Sequence, residues 1–265
     1  MKCNDQSLRY LKSFGYNVVR LPRADIRPLQ ILMKNGSSLE PLGDLSALLI
    51  AGTHKPLPAV SPNVKTASIS GKRTSDLALD VGLDILGNII GAMGGGSIGL
   101  KSQYSNARTI AFEFHDVLAD SVQIVELDQF LTDSGTDPFS THLKRLLESD
   151  KIYIITSTIK SKSLSVEASK KDKTSVDVNA SAIKDILGPK IKVNVNTDRS
   201  STMSFAGDED LIFGFKAIKL VYEDGKYASF DTVNGGGVAM AVPDDAIPSK
   251  KEYKWLQTGE ELIDF

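Results

Sequence analysis

The sequence predicts an α+β fold. Extended alternating segments and short helical segments follow one another irregularly, and no strand–helix–strand period repeats. The 265 residues, 41% hydrophobic and 24% charged, suffice for one large domain or two small ones around a buried core.

Residues 5–14 read as a helix. Asp5 can cap it, Leu8, Leu11 and Phe14 lie at helical spacing, and Gly15 ends it. Val18 to Leu21 reads as a short strand stopped by Pro22. Pro28 to Met33 reads as a second strand, followed by an Asn35-Gly36 turn. Pro56, Pro58 and Pro62 mark 52–64 as loop. Thr109 to Val117 is a central strand. Val122 to Leu131 mixes strand with the start of a helix, and Pro138 to Ser149 is an amphipathic helix. Ile152 to Ile159 is the strongest β segment. Leu211 to Tyr222 and Tyr227 to Val233 form a hairpin about Glu223-Asp224-Gly225. Gly235-Gly236-Gly237 opens a glycine-rich connection to an apolar-tipped tail.

Composition excludes several function classes. Thirty-one basic against 33 acidic residues, a net charge of −2, argues against a nucleic-acid partner. The single cysteine, Cys3, forbids an internal disulfide and fits a cytoplasmic protein. No run of about 18 apolar residues is present, nor a secretory h-region. His54, His115 and His142 stand at no metal-ligand spacing, and no HExxH, Walker A or GxSxG pattern occurs. The glycine-rich 94–99 segment lacks the Lys-Ser/Thr and the following helix of a phosphate loop. Asp128, Asp133 and Asp137 lack the order of a calcium loop. No metal, cofactor or enzyme activity is expected. A Cys3–His nucleophile pair is the weakest reading, because Cys3 lies near a fraying terminus.

Two regions read in two secondary structures. In 77–85, Leu77, Leu79, Val81, Leu83 and Ile85 alternate with Ala78, Asp80, Gly82 and Asp84, a period of two. Leu79, Leu83, Leu86, Ile90 and Met93 also fall on one helical face. A glycine turn at 94–96 follows, then Ile98, Leu100, Ser102 and Tyr104 alternate with Gly99, Lys101 and Gln103, as the second arm of a hairpin would. Downstream, 152–168 is extended, and Val176 and Val178 alternate beyond a lysine-rich tip. Ile183 to Leu187 suggests a short helix ended by Gly188-Pro189, and Ile191, Val193 and Val195 alternate again. A membrane-crossing β-strand needs about 9–11 alternating residues. The regions 77–116 and 152–196 supply that pattern, and so do half-buried strands of water-soluble sheets.

The two ends differ in charge. Residues 1–34 hold Lys2, Arg9, Lys12, Arg20, Arg23, Arg27 and Lys34 against two acids, a net of +5. Residues 244–265 hold three lysines against six acids, a net of −3. A basic face attracts anionic lipid at about 1 kcal/mol per residue; it can equally be a solvated surface. Cys3 beside Lys2 suits S-acylation, or is an incidental thiol. Tyr253, Trp255, Leu256, Leu262, Ile263 and Phe265 are too apolar for an idle tail. The connection before them offers cleavage sites of three kinds: Asp244-Asp245, Ala246-Ile247 and Lys250-Lys251.

The run from Cys3-Asn4-Asp5 through Leu8-Arg9-Tyr10-Leu11-Lys12-Ser13-Phe14-Gly15-Tyr16-Asn17-Val18-Val19-Arg20-Leu21-Pro22-Arg23, with Ala111 to Val117 and Leu211 to Ala217, resembles the bacterial gasdermins over essentially the whole chain. The resemblance implies a twisted central antiparallel sheet with peripheral helices. It implies a pore-forming domain (1–243) held as a cytoplasmic monomer by a C-terminal inhibitory peptide (244–265); the chain ends too early for a whole inhibitory domain. An activating protease, caspase-like or trypsin-like, would release a form that reaches the inner membrane and oligomerises there into β-barrel-type pores, killing the cell in antiphage defence. Cys3 matches a palmitoylated position. Regions 77–116 and 152–196 become the candidate insertion hairpins, stored helical or folded back. Leu77, Leu79, Val81, Leu83, Ile85, Val176, Val178, Ile191, Val193 and Val195 become candidates to face lipid. The alternative is a soluble lipid- or partner-binding α+β module without pore activity.

Overall fold

The computed structural model describes residues 15–233 except 36–37, 68, 72–76, 97–98, 137–139, 171–175, 177–178, 196–201 and 224. The expected 5–14 helix, the Asn35-Gly36 turn and the whole 234–265 tail lie outside the described residues.

Two long strands organise the chain. β8 (Ile152–Ser169) has 18 residues and β10 (Thr202–Glu223) has 22. At about 3.3 Å per residue they reach roughly 60 and 70 Å. They pair antiparallel along most of their length, from Thr202 opposite Glu167 to Lys219 opposite Tyr153. Among the described residues nine shorter strands flank this pair at three levels, and every pairing is antiparallel.

At the lower level, β2 (Gln30–Asn35) and β3 (Ser38–Asp44) extend the sheet beyond β8, and β11 (Lys226–Val233) extends it beyond β10. At the middle level, β4 (Ser61–Lys65) and β7 (Leu118–Ser121) lie on the β8 side, with β1 (Asn17–Arg23) on the β10 side. At the upper level, β5 (Leu77–Ala78) and β6 (Thr109–His115) lie beside β8, and β9 (Lys192–Val195) beside β10. The helices among the described residues are α1 (Leu45–Leu48), α2 (Leu79–Ala92), α3 (Leu100–Gln103), α4 (Ile124–Asp133), α5 (Thr141–Leu147) and α6 (Ala180–Leu187).

Burial follows the pleat. On β8, Ile152 and Ile154 pack with Leu127, Phe130 and Leu131 of α4, while Tyr153 and Ile155 point into a second cluster with Val19, Leu32 and Phe215. With both faces covered here, 152–155 is a continuous apolar run, and the polar Thr156, Ser157 and Thr158 that follow are buried as well.

Several sequence expectations change. β1 runs through Pro22 to Arg23, because its ladder with β10 shifts register between Val18 and Arg23, where a missing N–H does no harm. The 52–64 loop closes in a strand, β4, whose residues are all exposed. Val122 to Leu131 resolves as helix α4. In the expected 98–104 arm, 100–103 form helix α3, not a strand. β10 begins at Thr202, well before the expected Leu211.

Phe215 is fully buried against Leu32 and Ile155. Phe215→Ala should lower unfolding free energy by about 3–5 kcal/mol in urea titration. Val125→Ala, at an exposed position, should stay within about 0.5 kcal/mol.

Candidate functional site

The upper level of the sheet is amphipathic. Ile110 and Phe112 of β6, Leu164, Val166 and Ala168 of β8, and Met203 and Phe205 of β10 are buried in one cluster. Between them Ser165 and Glu167 of β8 and Ser204 of β10 are polar, while Ala111 of β6 is small and buried. His115 Nε2 lies 2.6 Å from Ser165 Oγ, which lies 2.7 Å from Ser204 Oγ, so one hydrogen-bonded row crosses three strands. The contact of a serine with a histidine invites comparison with a nucleophile and its base. Ser165, however, sits in ladders on both sides, opposite Glu113 and Ser204, so its surrounding amides are not aimed at a developing oxyanion. Among the described residues no group of three or more His, Cys, Asp or Glu could hold a metal.

Three helices cover the apolar face. Leu83, Leu86, Ile89 and Ile90 of α2, Leu100 of α3, and Ile183 and Leu187 of α6 complete the cluster. Of the lipid-facing candidates, Leu77, Leu83, Val176 and Ile191 are buried in it, and Leu79, Ile85 and Val193 are partly buried against it. Val81 lies on α2 and Val195 on β9; Val178 is outside the described residues. Both dual-pattern regions are therefore brought together on one core. Segment 77–92 takes its helical reading apart from the two residues of β5.

That cover is built from costly parts. α2 contains Gly82, Gly87 and Gly91 and has no side-chain N-cap hydrogen bond. Each interior glycine costs about 0.5–1 kcal/mol relative to alanine, and a missing cap about 1 kcal/mol. Gly82 has a packing reason, since a Cβ there would come within 2.9 Å of the Ile110 Cβ, whereas Gly91 has none. Tyr104, at the end of α3, is fully buried, and among the described residues its hydroxyl reaches only the Met203 sulfur, at 3.8 Å. Burial pushes that phenol well above its ordinary pKa. The Asp80–Lys101 pair at 2.7 Å straps α2 to α3 and holds Asp80 below the usual carboxylate range, but it is fully exposed and water screens it.

The cover interlocks through the 94–96 turn. Gly96 donates to the Leu187 carbonyl at 3.3 Å, and a Cβ on Gly95 or Gly96 would collide with Ile191 or with the Ile186 carbonyl. The turn is glycine because the first region presses on the end of the second region's helix.

Upper and middle levels meet at one irregular line. β6 gives way to β7 at Asp116, which has φ +49°. On β8, Ser161 Oγ shares its proton between the His115 and Ser163 carbonyls and accepts from Ser163 N. On β10, Ala206 pairs with Ser163 and Leu211 with Ser161, so 207–210 bulge out. A small cavity lies at this line, lined by Ile89, Met93, Phe114, Ser161, Leu211 and Phe213. Below it, the Lys160–Asp120 pair at 2.6 Å and the Asn63 amide on Asp120 fasten β4, β7 and β8 together.

Sequence reasoning missed the return arm of the second region. It passes beyond 196 into 202–206, where Met203 and Phe205 supply core and β8 and β9 pair on either side. Met203 and Phe205 alternating with Thr202, Ser204 and Ala206 was the available signal.

The other site residues divide as follows. Arg20 and Arg23 lie on β1. Arg27 is exposed and bidentate to Asp44, at 2.6 and 3.1 Å, which offsets its charge. Cys3, Lys2, Arg9, Lys12, the cleavage candidates 244–251 and the tail residues Tyr253, Trp255, Leu256, Leu262, Ile263 and Phe265 lie outside the described residues. No helix among the described residues is long and apolar enough to cross a membrane, a statement that does not bear on strands.

Residues 19–226 match the Bacterial Gasdermin Family. A gasdermin of a Desulfuromonadales bacterium is 46% identical over 240 residues, covering 91% of this chain and 90% of the relative. The chain belongs to the bacterial gasdermin family. A Lysobacter enzymogenes gasdermin is 37% identical over 264 residues, covering 99% and 97% of the two chains. The solved bacterial gasdermin of Bradyrhizobium tropiciagri superposes with TM-score 0.60 at 17% identity, covering 86% and 92%, a likeness of fold. The α+β architecture with its large antiparallel sheet is thus the gasdermin fold.

Gly91 is exposed on α2, and a Cβ there meets nothing within 4 Å. Gly91→Ala should raise stability by about 1 kcal/mol and the melting temperature by about 2–4 °C. Gly96→Ala should lower both, by calorimetry.

Proposed function

We propose that this chain is an autoinhibited pore-forming protein of the gasdermin kind. One observation carries the reading. A segment with strand periodicity is stored as a glycine-rich, uncapped helix over the apolar face of an amphipathic sheet end. A helical cover that is poor in its own right is suited to leaving.

In this reading residues 1–243 form the pore and 244–265 the inhibitor. The tail, net −3, docks through Trp255, Leu256 and Phe265 and blocks contacts between copies. A protease that cuts between Gly235 and Lys251, caspase-like at Asp244-Asp245 or trypsin-like at Lys250-Lys251, ends the tether, so the tail's effective concentration falls and it leaves. The basic N-terminal region then meets anionic lipid. Palmitoylated Cys3 adds a second signal, since one acyl chain alone binds only reversibly.

On the membrane, α2, α3 and α6 unwind, and 77–116 and 152–206 become long hairpins continuous with β6, β8 and β10. The clustered apolar side chains turn to lipid and the Ser165 row to water, the alternation a β-barrel wall requires. Closure into a ring of copies pairs the edge strands that water would otherwise leave open. Cell death as antiphage defence follows from lost membrane integrity at the inner membrane.

Purified full-length protein should leave dye-loaded anionic liposomes intact, and protein cleaved after Asp244 should empty them. Silent cleaved protein would contradict pore formation and favour a lipid- or partner-binding module. Gly91→Ala should slow release by about fivefold, the kinetic equivalent of about 1 kcal/mol. Cys3→Ala should weaken toxicity in cells without abolishing release in vitro.

A further inference from the structure

Met93 closes the C-terminal end of α2, one residue beyond the helix. It is half-buried, between exposed Ala92 and exposed Gly94, so the helix end is open to small solutes. Its side chain packs against the upper cluster and lines the cavity at the irregular line. Phe114 and Phe213 line the same cavity, with their rings stacked at 4.1 Å between centroids. Met93 also lies against the bare backbone of Gly207, the first residue of the 207–210 bulge. A Cβ on Gly207 would come within 3.2 Å of the Met93 Cγ and 3.4 Å of its sulfur. One thioether thus fills the place where the end of α2 meets β6 and β10. Methionine suits so irregular a gap because it is unbranched and soft.

These surroundings suit a thioether and not its oxidised form. A sulfoxide turns a flexible apolar side chain into a polar one. Its oxygen accepts hydrogen bonds and needs donors when buried. Of the residues lining the cavity, only Ser161 and Ser163 carry a side-chain donor. Ser161 already gives its hydroxyl proton to the His115 and Ser163 carbonyls. Water is the oxygen's other partner, and reaching it draws the side chain off the cavity and off β10. The other described methionines are placed differently. Met203 is fully buried, and Met33 packs against the lower cluster, away from α2.

We propose that Met93 is a reversible oxidation site, at which a hydroperoxide loosens the α2 cover. A lone pair on the sulfur takes the outer oxygen of the peroxide and the O–O bond breaks. The proton of that oxygen passes to the departing alkoxide, which leaves as an alcohol, or as water when the oxidant is hydrogen peroxide. The sulfur is oxidised by two electrons and the peroxide reduced by two. A methionine sulfoxide reductase, drawing two electrons from thiols, restores the thioether and releases the oxygen as water. The consequence for pore opening rests on the proposed function; the oxidation and its effect on the stored fold do not.

The test exposes full-length protein, without membrane, to dilute hydrogen peroxide. Peptide mass spectrometry follows each methionine, calorimetry the melting temperature, and amide hydrogen exchange the end of α2. Met93 should gain one oxygen while Met203 stays unmodified. The melting temperature should fall by about 4–8 °C, and exchange at residues 89–93 should quicken by about tenfold. Met93→Leu keeps the apolar contact without an oxidisable sulfur and should lose both responses to peroxide, whereas Met33→Leu should keep them. Methionine sulfoxide reductase with dithiothreitol should reverse both in the unsubstituted protein. Met93 left unmodified while other methionines are oxidised would overturn the proposal. So would an equal fall in melting temperature in Met93→Leu, or oxidised Met93 with melting and exchange unchanged. No bilayer takes part, so these outcomes are separate from whether cleaved protein empties liposomes.

Discussion

The ladder between β8 and β10 is the interaction on which the rest of the molecule depends. All but three of the other strands attach directly to one of these two, and the three exceptions attach through a single intermediate, β2, β6 or β7. Their clusters exist because the ladder holds Ile152 to Ile159 and Leu211 to Leu220 in register. A register slip by one residue would send each apolar set to the opposite face. The ladder also continues past the irregular line into the upper level, so a rearrangement above the line has a formed template to grow from.

Two energetic styles meet along that ladder. Below the line, strands pack on both faces and Lys160–Asp120 is partly buried and reinforced by a backbone amide. Above it, the glycine-rich, uncapped α2 is held mainly by shared apolar burial, whereas α6 is capped by Asn179. The interior glycines and missing cap of α2 sum to about 2–4 kcal/mol of helix destabilisation. That is a substantial fraction of a domain's total stability of about 5–15 kcal/mol. Because α2 and α6 interlock at Gly95 and Gly96, loosening one loosens the other. The two dual-pattern regions are thereby coupled.

Much of the fold was legible in the residues. β8 showed itself through its β-branched run, β6 and β11 through alternation and turns, and α6 through its Gly188 stop. Segment 77–92 was legible only as a pair of readings, since local pattern does not say which neighbour completes it. The apolar faces of β6, β8 and β10 tip it to helix in the stored form. Pro22 misled because a register shift absorbs a missing amide. The early part of β10 was hidden by Asp208-Glu209-Asp210, which imitate a turn and in fact form a bulge. The N-terminal and C-terminal charges were plain in the sequence, but their residues lie largely outside the described structure.

The central claim is that 79–86 changes from helix to membrane-crossing strand while β8 and β10 stay paired. Environment-sensitive probes placed one at a time at 79, 80, 81, 83, 84, 85 and 86 report it directly. In the full-length protein, burial should follow a helical period of 3.6. After tail removal on anionic vesicles, probes at 79, 81, 83 and 85 should report lipid and those at 80, 84 and 86 water. Persistence of the helical period in protein that is emptying vesicles would contradict the account.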